Sequence, residues 1–312
     1  MTTESSDELR QKLDTRSRRH ADELARSELQ FIDLARTAHA QWGAWWRYPL
    51  SISELSIDAR LHDKFMMCFP LAAHAMNHVE AALEARQRFP WVAKTSARVA
   101  FEHALTAQWI LLTSGGERKL KANFDNSDHK RTERLIKGVQ RLGHDDEEFA
   151  LAAHGLTDEE LFGLVRAKAQ GPGADNMEGM CRRFASAGTD DLFYDIYRDL
   201  SGAVHPSLSS LCAHWRFDAQ DKPLGVSPLG DAGEESLLGL ELALSATWAL
   251  YSVEVCRFEQ PRMALVASMG AATGLPVDLR SSDQWPDKQP KDHTAYWLAP
   301  VIRDATDHVK PA

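Results

Sequence analysis

Apolar residues recur at helical spacing along most of the chain, and no run alternates apolar and polar positions over strand length. From about Ser6 to Ala40, Leu9, Leu13, Leu24, Phe31, Leu34 and Ala38 mark one face of a long helix. Its other face carries Arg16, Arg18, Arg19, Asp22 and Glu23. Trp42, Trp45 and Trp46 follow at helical offsets before Tyr48-Pro49 breaks the run. Large aromatics so placed anchor a long helix to its core, a ligand platform being the alternative. Helical periodicity resumes from Asp58 to Phe89, with Pro70 expected to kink or break it. Pro90 opens a mostly apolar helix, Trp91 to Leu112, stopped by Gly115-Gly116.

Beyond it, Glu117 to Arg141 is a charged stretch, and Thr157-Asp158-Glu159-Glu160 forms a capping box for a short helix through Ala169. Gly171-Pro172-Gly173 reads as a linker, and a helix is expected from about Asn176 to Ala187, ended by Gly188. Thr189-Asp190-Asp191 caps the helix that runs into Tyr194–Ser207. One or two more helical turns are expected through Trp215, then a loop over Asp218–Gly233 rich in Gly, Pro and Asp. Glu234–Glu259 is a long core helix closed by Pro261, followed by a short helix from Arg262 to Met269 and, from Gly274 onward, an extended tail. The predicted fold is all-α, a bundle of at least six helices with an extended C-terminal tail. Its divisions are a long helix and Trp-rich connector over 1–57, a helical-bundle domain over 58–270 and the tail over 271–312.

Composition narrows this picture. Of 312 residues, 44% are hydrophobic and 26% charged, enough apolar surface for a sizeable core. Cys68, Cys181, Cys212 and Cys256 are far apart among apolar neighbours, the pattern of buried thiols in a reducing, cytoplasmic setting. The acidic, polar stretch Met1–Glu8 has no signal-peptide layout. The apolar run Leu237–Cys256 contains Glu241 and Glu254 and lacks a basic flank, so a buried core helix and no membrane partner are expected. A formal net charge of −9 gives no global attraction to polyanions; such a partner would need a local patch.

Candidate chemistry is confined to a few places. His74 and His78, four apart on one helix face, are able to chelate a metal with Glu80 or Glu84, yet neither a His-Glu-x-x-His nor a Glu-x-x-His signature is present. No Walker loop, Rossmann glycine pattern or zinc spacing occurs, and no metal or other cofactor is expected. Arg98 and Glu102 lie four apart in an apolar helix; they form either an ion pair at the surface or a polar site facing inward. Arg118, Lys119, Lys121, Lys130, Arg131, Arg134, Lys137 and Arg141 make the one basic stretch, a solvated helix face or a contact for a phosphate backbone. The densest chemistry lies in Tyr194-Asp195-Ile196-Tyr197-Arg198-Asp199-Leu200-Ser201-Gly202-Ala203-Val204-His205-Pro206-Ser207. Seven positions separate Arg198 from His205, nearly two helical turns, so both project from almost the same face. Pro206 disfavours helical geometry at His205 and puts the imidazole at the helix end. A guanidinium that binds phosphate beside an imidazole that shuttles protons is suited to phosphodiester cleavage, with a ribose 2′-hydroxyl as nucleophile and no metal. The same segment also makes a structural corner, with Ser201 and Ser207 bonding backbone and His205 tying helices together.

Arg198-Asp199, five residues, then His205 resembles the Arg-x(4–6)-His motif of the HEPN superfamily of all-helical domains. The fuller pattern, Arg98-x-x-x-Glu102 with Tyr197-x-x-x-Ser201-x-x-x-His205-Pro206-Ser207, is similar to a widespread bacterial family of unknown function that looks distantly related to those domains. The resemblance covers roughly residues 60–260. Many HEPN proteins are metal-independent endoribonucleases of toxin–antitoxin, abortive-infection and antiviral systems, acting as homodimers with paired motifs in one cleft; others only bind. The resemblance therefore implies RNA and a second copy of the chain as partners. Arg198 would bind the scissile phosphate, His205 would shuttle the proton and Asp199 would orient one of them. Glu102 would pair with Arg198 or His205, and Arg98, Tyr197, Ser201 and Ser207 would be binding residues. The competing expectation is a non-catalytic helical interaction or ligand-binding protein in which the motif is a polar brace.

Overall fold

The run from Pro90 to Leu112 forms a helix (α3) that begins with proline at its first turn, where the missing N–H costs nothing, and buries 15 of its 23 residues. Such extensive burial requires neighbours on several sides. They are α2 (His62–Ala85), α4 (Gly116–Arg141), α5 (Met177–Arg183), α6 (Leu192–Val204) and α7 (Leu238–Glu254). An α-helix over 27–45 (α1) precedes these and α8 (Met263–Thr273) follows them. The computed structural model describes residues 27–46, 52–141, 173–184, 192–205, 212–218, 220, 222–227, 237–258, 260–273 and 277–279. The fold is an all-α multi-helix bundle.

α7 is buried along its whole length except at Leu240, as expected of the apolar run that contains it. Among the described residues no helix is long and apolar enough to cross a membrane. Trp248 of α7 packs against Phe101 of α3 and Phe193 of α6, with ring centroids 5.6 and 5.2 Å apart. α1 joins the same core through Ile32, Ala35 and Ala38, all fully buried. Its Glu28 accepts a hydrogen bond from the Gly239 N–H at 2.6 Å, at the start of α7. A β-carbon at residue 239 would lie 2.6 Å from the Glu28 carbonyl oxygen, so the approach of α1 to α7 needs glycine there. Trp42 and Trp46 pack on Phe69, and Trp45 lies beneath the Arg262 guanidinium, 4.4 Å from the ring centroid; the tryptophans anchor α1.

The C-terminal end of α3 has carbonyl groups that no later turn of helix can satisfy. Lys64 of α2, a buried lysine, donates from Nζ to the carbonyls of Ile110, Leu111 and Thr113 at 2.6, 2.9 and 2.7 Å. Arg183 of α5 donates to the Leu112 carbonyl at 3.2 Å and also to the Thr113 hydroxyl. The chain then reverses through Gly115, whose φ of 61° lies in the left-handed region, into α4.

Several sequence expectations change here. α2 runs unbroken through Pro70, which is exposed, so the carbonyl it leaves unpaired lies on the solvent side of the helix. α5 ends at Arg183, short of the expected Ala187; its start is capped by Asn176, whose side chain accepts from Gly179 N–H at 2.8 Å. Trp215, expected in a helix, begins a strand, and the expected loop contains another. β1 (Trp215–Phe217) and β2 (Pro223–Val226) pair antiparallel. The Asp218 carboxylate closes their turn by accepting from the Gln220 and Lys222 N–H groups, both at 2.9 Å. Cys68, Cys181 and Cys256 are buried, but Cys212, a helical residue just ahead of this hairpin, is exposed. Val277 and Leu279 still touch the core, and Gln108 of α3 donates to the Val277 carbonyl at 3.2 Å. The helix start before residue 27, the capping box at Thr157, the Thr189 cap and the tail beyond residue 279 lie outside the described residues.

Replacing Lys64 with methionine keeps the aliphatic stem but strands three carbonyls at a buried helix end. Urea denaturation of Lys64→Met should show a midpoint lowered by an equivalent of about 3 kcal/mol at unchanged slope.

Candidate functional site

Lys94, Arg98 and Glu102 stand at four-residue steps on α3 and form a polar line along an otherwise apolar helix. α6 lies against this line with Phe193, Ile196 and Leu200 buried in the core, the spacing of one helical face. The flanking residues Tyr197 and Asp199 meet the line directly. Arg98 Nε donates to Glu102 Oε1 at 2.8 Å, and its Nη2 donates to the Tyr197 hydroxyl at 3.3 Å with the guanidinium 5.2 Å from the tyrosine ring centroid. The Arg98 side chain is only 13% exposed, and its Nη1 has no hydrogen-bond partner among the described residues. Lys94, also buried, donates to Asp199 Oδ2 at 3.2 Å. Ser201 Oγ is buried and likewise has no partner among the described residues.

Arg198 and His205 occupy the solvent side of α6. The Arg198 side chain is 68% exposed; it stands 3.9 Å from Asp195 and 5.9 Å from the Tyr194 ring centroid. The other neighbours of Tyr194 are Arg182, 5.7 Å from its centroid, and the stacked ring of Tyr197 at 6.2 Å. α6 ends at Val204, and His205 N–H closes a last turn onto the Ser201 carbonyl at 3.1 Å, leaving the imidazole exposed at the helix end. Pro206 and Ser207 lie outside the described residues.

The expected residues thus fall into two groups. Arg98, Glu102 and Tyr197 come together, and Asp199 joins the same seam through Lys94; Arg198 and His205 remain outside it. Two expected pairings are replaced. Glu102 pairs with Arg98, one turn away on its own helix, and not with Arg198 or His205, which face away from α3. Asp199 orients neither of those residues, because the ammonium of Lys94 takes its carboxylate. Lys94 itself was not singled out from sequence, although its place one turn before Arg98 was the available signal.

Beneath the seam lies Glu241 of α7, fully buried, with neither carboxyl oxygen hydrogen-bonded among the described residues. Burial pushes its carboxyl up to about 8; the negative charges of Asp199 and Glu28 add to the rise and Lys94 opposes it. At neutral pH the group is held largely protonated, which avoids an unpaired charge in the core.

The histidines expected to hold a metal are placed otherwise. His74 stacks on His103 of α3 with centroids 5.4 Å apart, and His78 Nδ1 is buried without a hydrogen-bond partner among the described residues. Burial, followed by the neighbouring His103 and His74, pushes the His78 imidazole down. His103 Nδ1 lies 2.8 Å from the Val99 carbonyl, while Glu80, one of the two carboxylates expected to serve a metal, faces His39 at 3.7 Å. Among the described residues no group of three or more His, Cys, Asp or Glu is arranged to hold a metal ion. A cavity of about 560 Å³ beside the first turn of α2 is lined in part by Arg60, Lys64 and Glu117, but Arg60 is tied to Asp58 and Lys64 to the end of α3.

The division of the motif predicts different costs. Arg98→Ala should destabilise by about 2 kcal/mol, through the lost ion pair and ring contact and the abandoned Glu102, whereas Arg198→Ala should stay within about 0.5 kcal/mol of the parent in the same denaturant titration. Glu241 carries a pH signature. The folded chain keeps a proton that the unfolded chain releases above the ordinary value of 4.5, so this group makes stability fall as pH rises from there to about 8 and adds no further slope beyond. Glu241→Gln should flatten that decline, with the melting temperature gaining most over the parent at pH 8 and least near pH 4.5. Comparison with family models, characterised proteins and solved structures finds no match to this chain.

Proposed function

We propose that this is a HEPN-like helical protein that engages RNA at the solvent face of α6, with Arg198 binding a phosphate and His205 moving the proton in a metal-independent cleavage of the phosphodiester. The observation that carries it is the alternation along α6: Tyr197 and Asp199 are tied to α3, while Arg198 and His205 stand in solvent. A guanidinium free of buried partners keeps its planar donor fork for a phosphate. Held at its inner face, α6 cannot turn that fork away.

The rise between residues seven apart is about 10 Å, so a single copy presents two spaced groups on one helix. Pairing two copies, as the resemblance to HEPN domains implies, brings two arginines and two histidines to one cleft. In the chemistry, His205 as base takes the proton from the ribose 2′-hydroxyl, whose oxygen attacks the adjacent phosphorus. The 5′-oxygen leaves and takes the proton back from the His205 imidazolium, which restores the neutral ring, and a 2′,3′-cyclic phosphate remains on the upstream fragment.

The second reading, a non-catalytic helical protein with a polar brace, is favoured by the Lys94–Asp199 and Arg98–Glu102 pairs, which behave as struts between or along helices. It does not account for the exposure of Arg198 and His205. RNA incubated with the parent protein in chelator should yield cyclic-phosphate ends, and His205→Ala and Arg198→Ala should each reduce the rate by at least about 100-fold at unchanged melting temperature. Absence of cleavage by the parent, or full activity in His205→Ala, favours the brace.

A further inference from the structure

Among its described side chains, α4 carries exposed cations that no carboxylate neutralises. Near its start the helix faces the bundle: Leu120 is buried and Asn123 donates to the Ala174 carbonyl at 3.4 Å. Continuing the same line by helical steps reaches Ser127, Lys130, Arg131 and Arg134, at relative positions 0, 3, 4 and 7. Among the described residues these four line one concavity of about 440 Å³. Lys130, Arg131 and Arg134 are exposed, and none forms an ion pair among the described residues, whereas Lys121 one face away is neutralised by Asp125 at 3.0 Å.

By helical register Asp125 falls on the far side of α4 from the line of Ser127, Lys130, Arg131 and Arg134. Lys130, Arg131 and Arg134 therefore set three exposed cations along about 6 Å of one face of α4. Like charges at three- and four-residue spacing weaken a helix when nothing neutralises them. A chain with a net charge of −9 that nevertheless concentrates cations on one stripe has a surface complementary to a polyanion and repels one elsewhere.

We infer that this face of α4 is a docking site for the phosphate backbone of single-stranded RNA, contacted by Lys130, Arg131 and Arg134 without regard to base sequence and separate from Arg198 and His205. The inference rests on the RNA-directed function proposed above, which it supplies with a second contact. The guanidinium groups take phosphate oxygens in forked pairs, the Lys130 ammonium acts as a point charge, and the Ser127 hydroxyl donates to a phosphate oxygen.

The test is fluorescence anisotropy with a labelled single-stranded RNA over a range of salt concentrations, run on the parent, on the triple variant Lys130→Gln, Arg131→Gln, Arg134→Gln, and on His205→Ala. The triple variant should bind at least about 10-fold more weakly, and the slope of log affinity against log salt should become shallower by about 2, the loss of three phosphate contacts. Its cleavage at saturating RNA should remain near that of the parent. Glutamine keeps helix propensity, and circular dichroism and melting of the triple variant should match the parent. Triple-variant binding within twofold of the parent, at the same salt slope, overturns the docking site even if the parent cleaves RNA. Binding that is salt-dependent and lost in the triple variant, with no cleavage by the parent, sustains the docking site and overturns the nuclease. A parent that binds no RNA overturns the docking site outright.

Discussion

A lysine ammonium buried against the C-terminal carbonyls of α3 is the constraint on which much of the rest depends. Desolvating that charge is expensive, and its three short bonds to carbonyl oxygens, at the negative end of a helix dipole, offset the cost. Because the acceptors all come from the last turn of α3 and the donor from the first turn of α2, the axial position of α2 against α3 is fixed. Arg183 adds α5 to the same terminus. The central helix is thus closed from two directions by cations, and the elements carrying those cations cannot slide without exposing bare carbonyls to the core.

The polar seam applies similar logic to rotation. Each residue of a helix advances about 100°, so holding Tyr197 and Asp199 against α3 also determines where Arg198 points. The buried hydrophobic face of α6 alone would tolerate some rolling, since packed side chains adapt more readily than charge pairs. Glu241, kept neutral beneath the seam, lets three carboxylates and one ammonium share a small region without leaving full negative charges unpaired in the core.

Much of this was legible in sequence where one signal dominated. Pro90 and Gly115 bracket α3, and the apolar run around Trp248 predicts a buried helix, which α7 is. Signals that compete locally were harder. The hairpin at Trp215–Val226 is short, and its turn chemistry at Asp218 sits in a stretch whose glycines and prolines read as plain loop. Glu102 had two arginines to choose between, and proximity along its own helix decided in favour of Arg98. Lys94, His103 and Glu241 gain their significance only from neighbours on other helices, which no spacing within one segment discloses.

The cysteines carry a consequence for chemistry applied from outside. Burial pushes the thiols of Cys68 and Cys181 up to about 12 and that of Cys256 well upward, so these three form almost no thiolate near neutrality and are closed to alkylating reagents by packing as well. Cys212 is exposed, seven residues beyond His205. The unaltered protein therefore brings its own single point of attachment for a maleimide dye or spin label just ahead of β1, a reporter installed without mutagenesis.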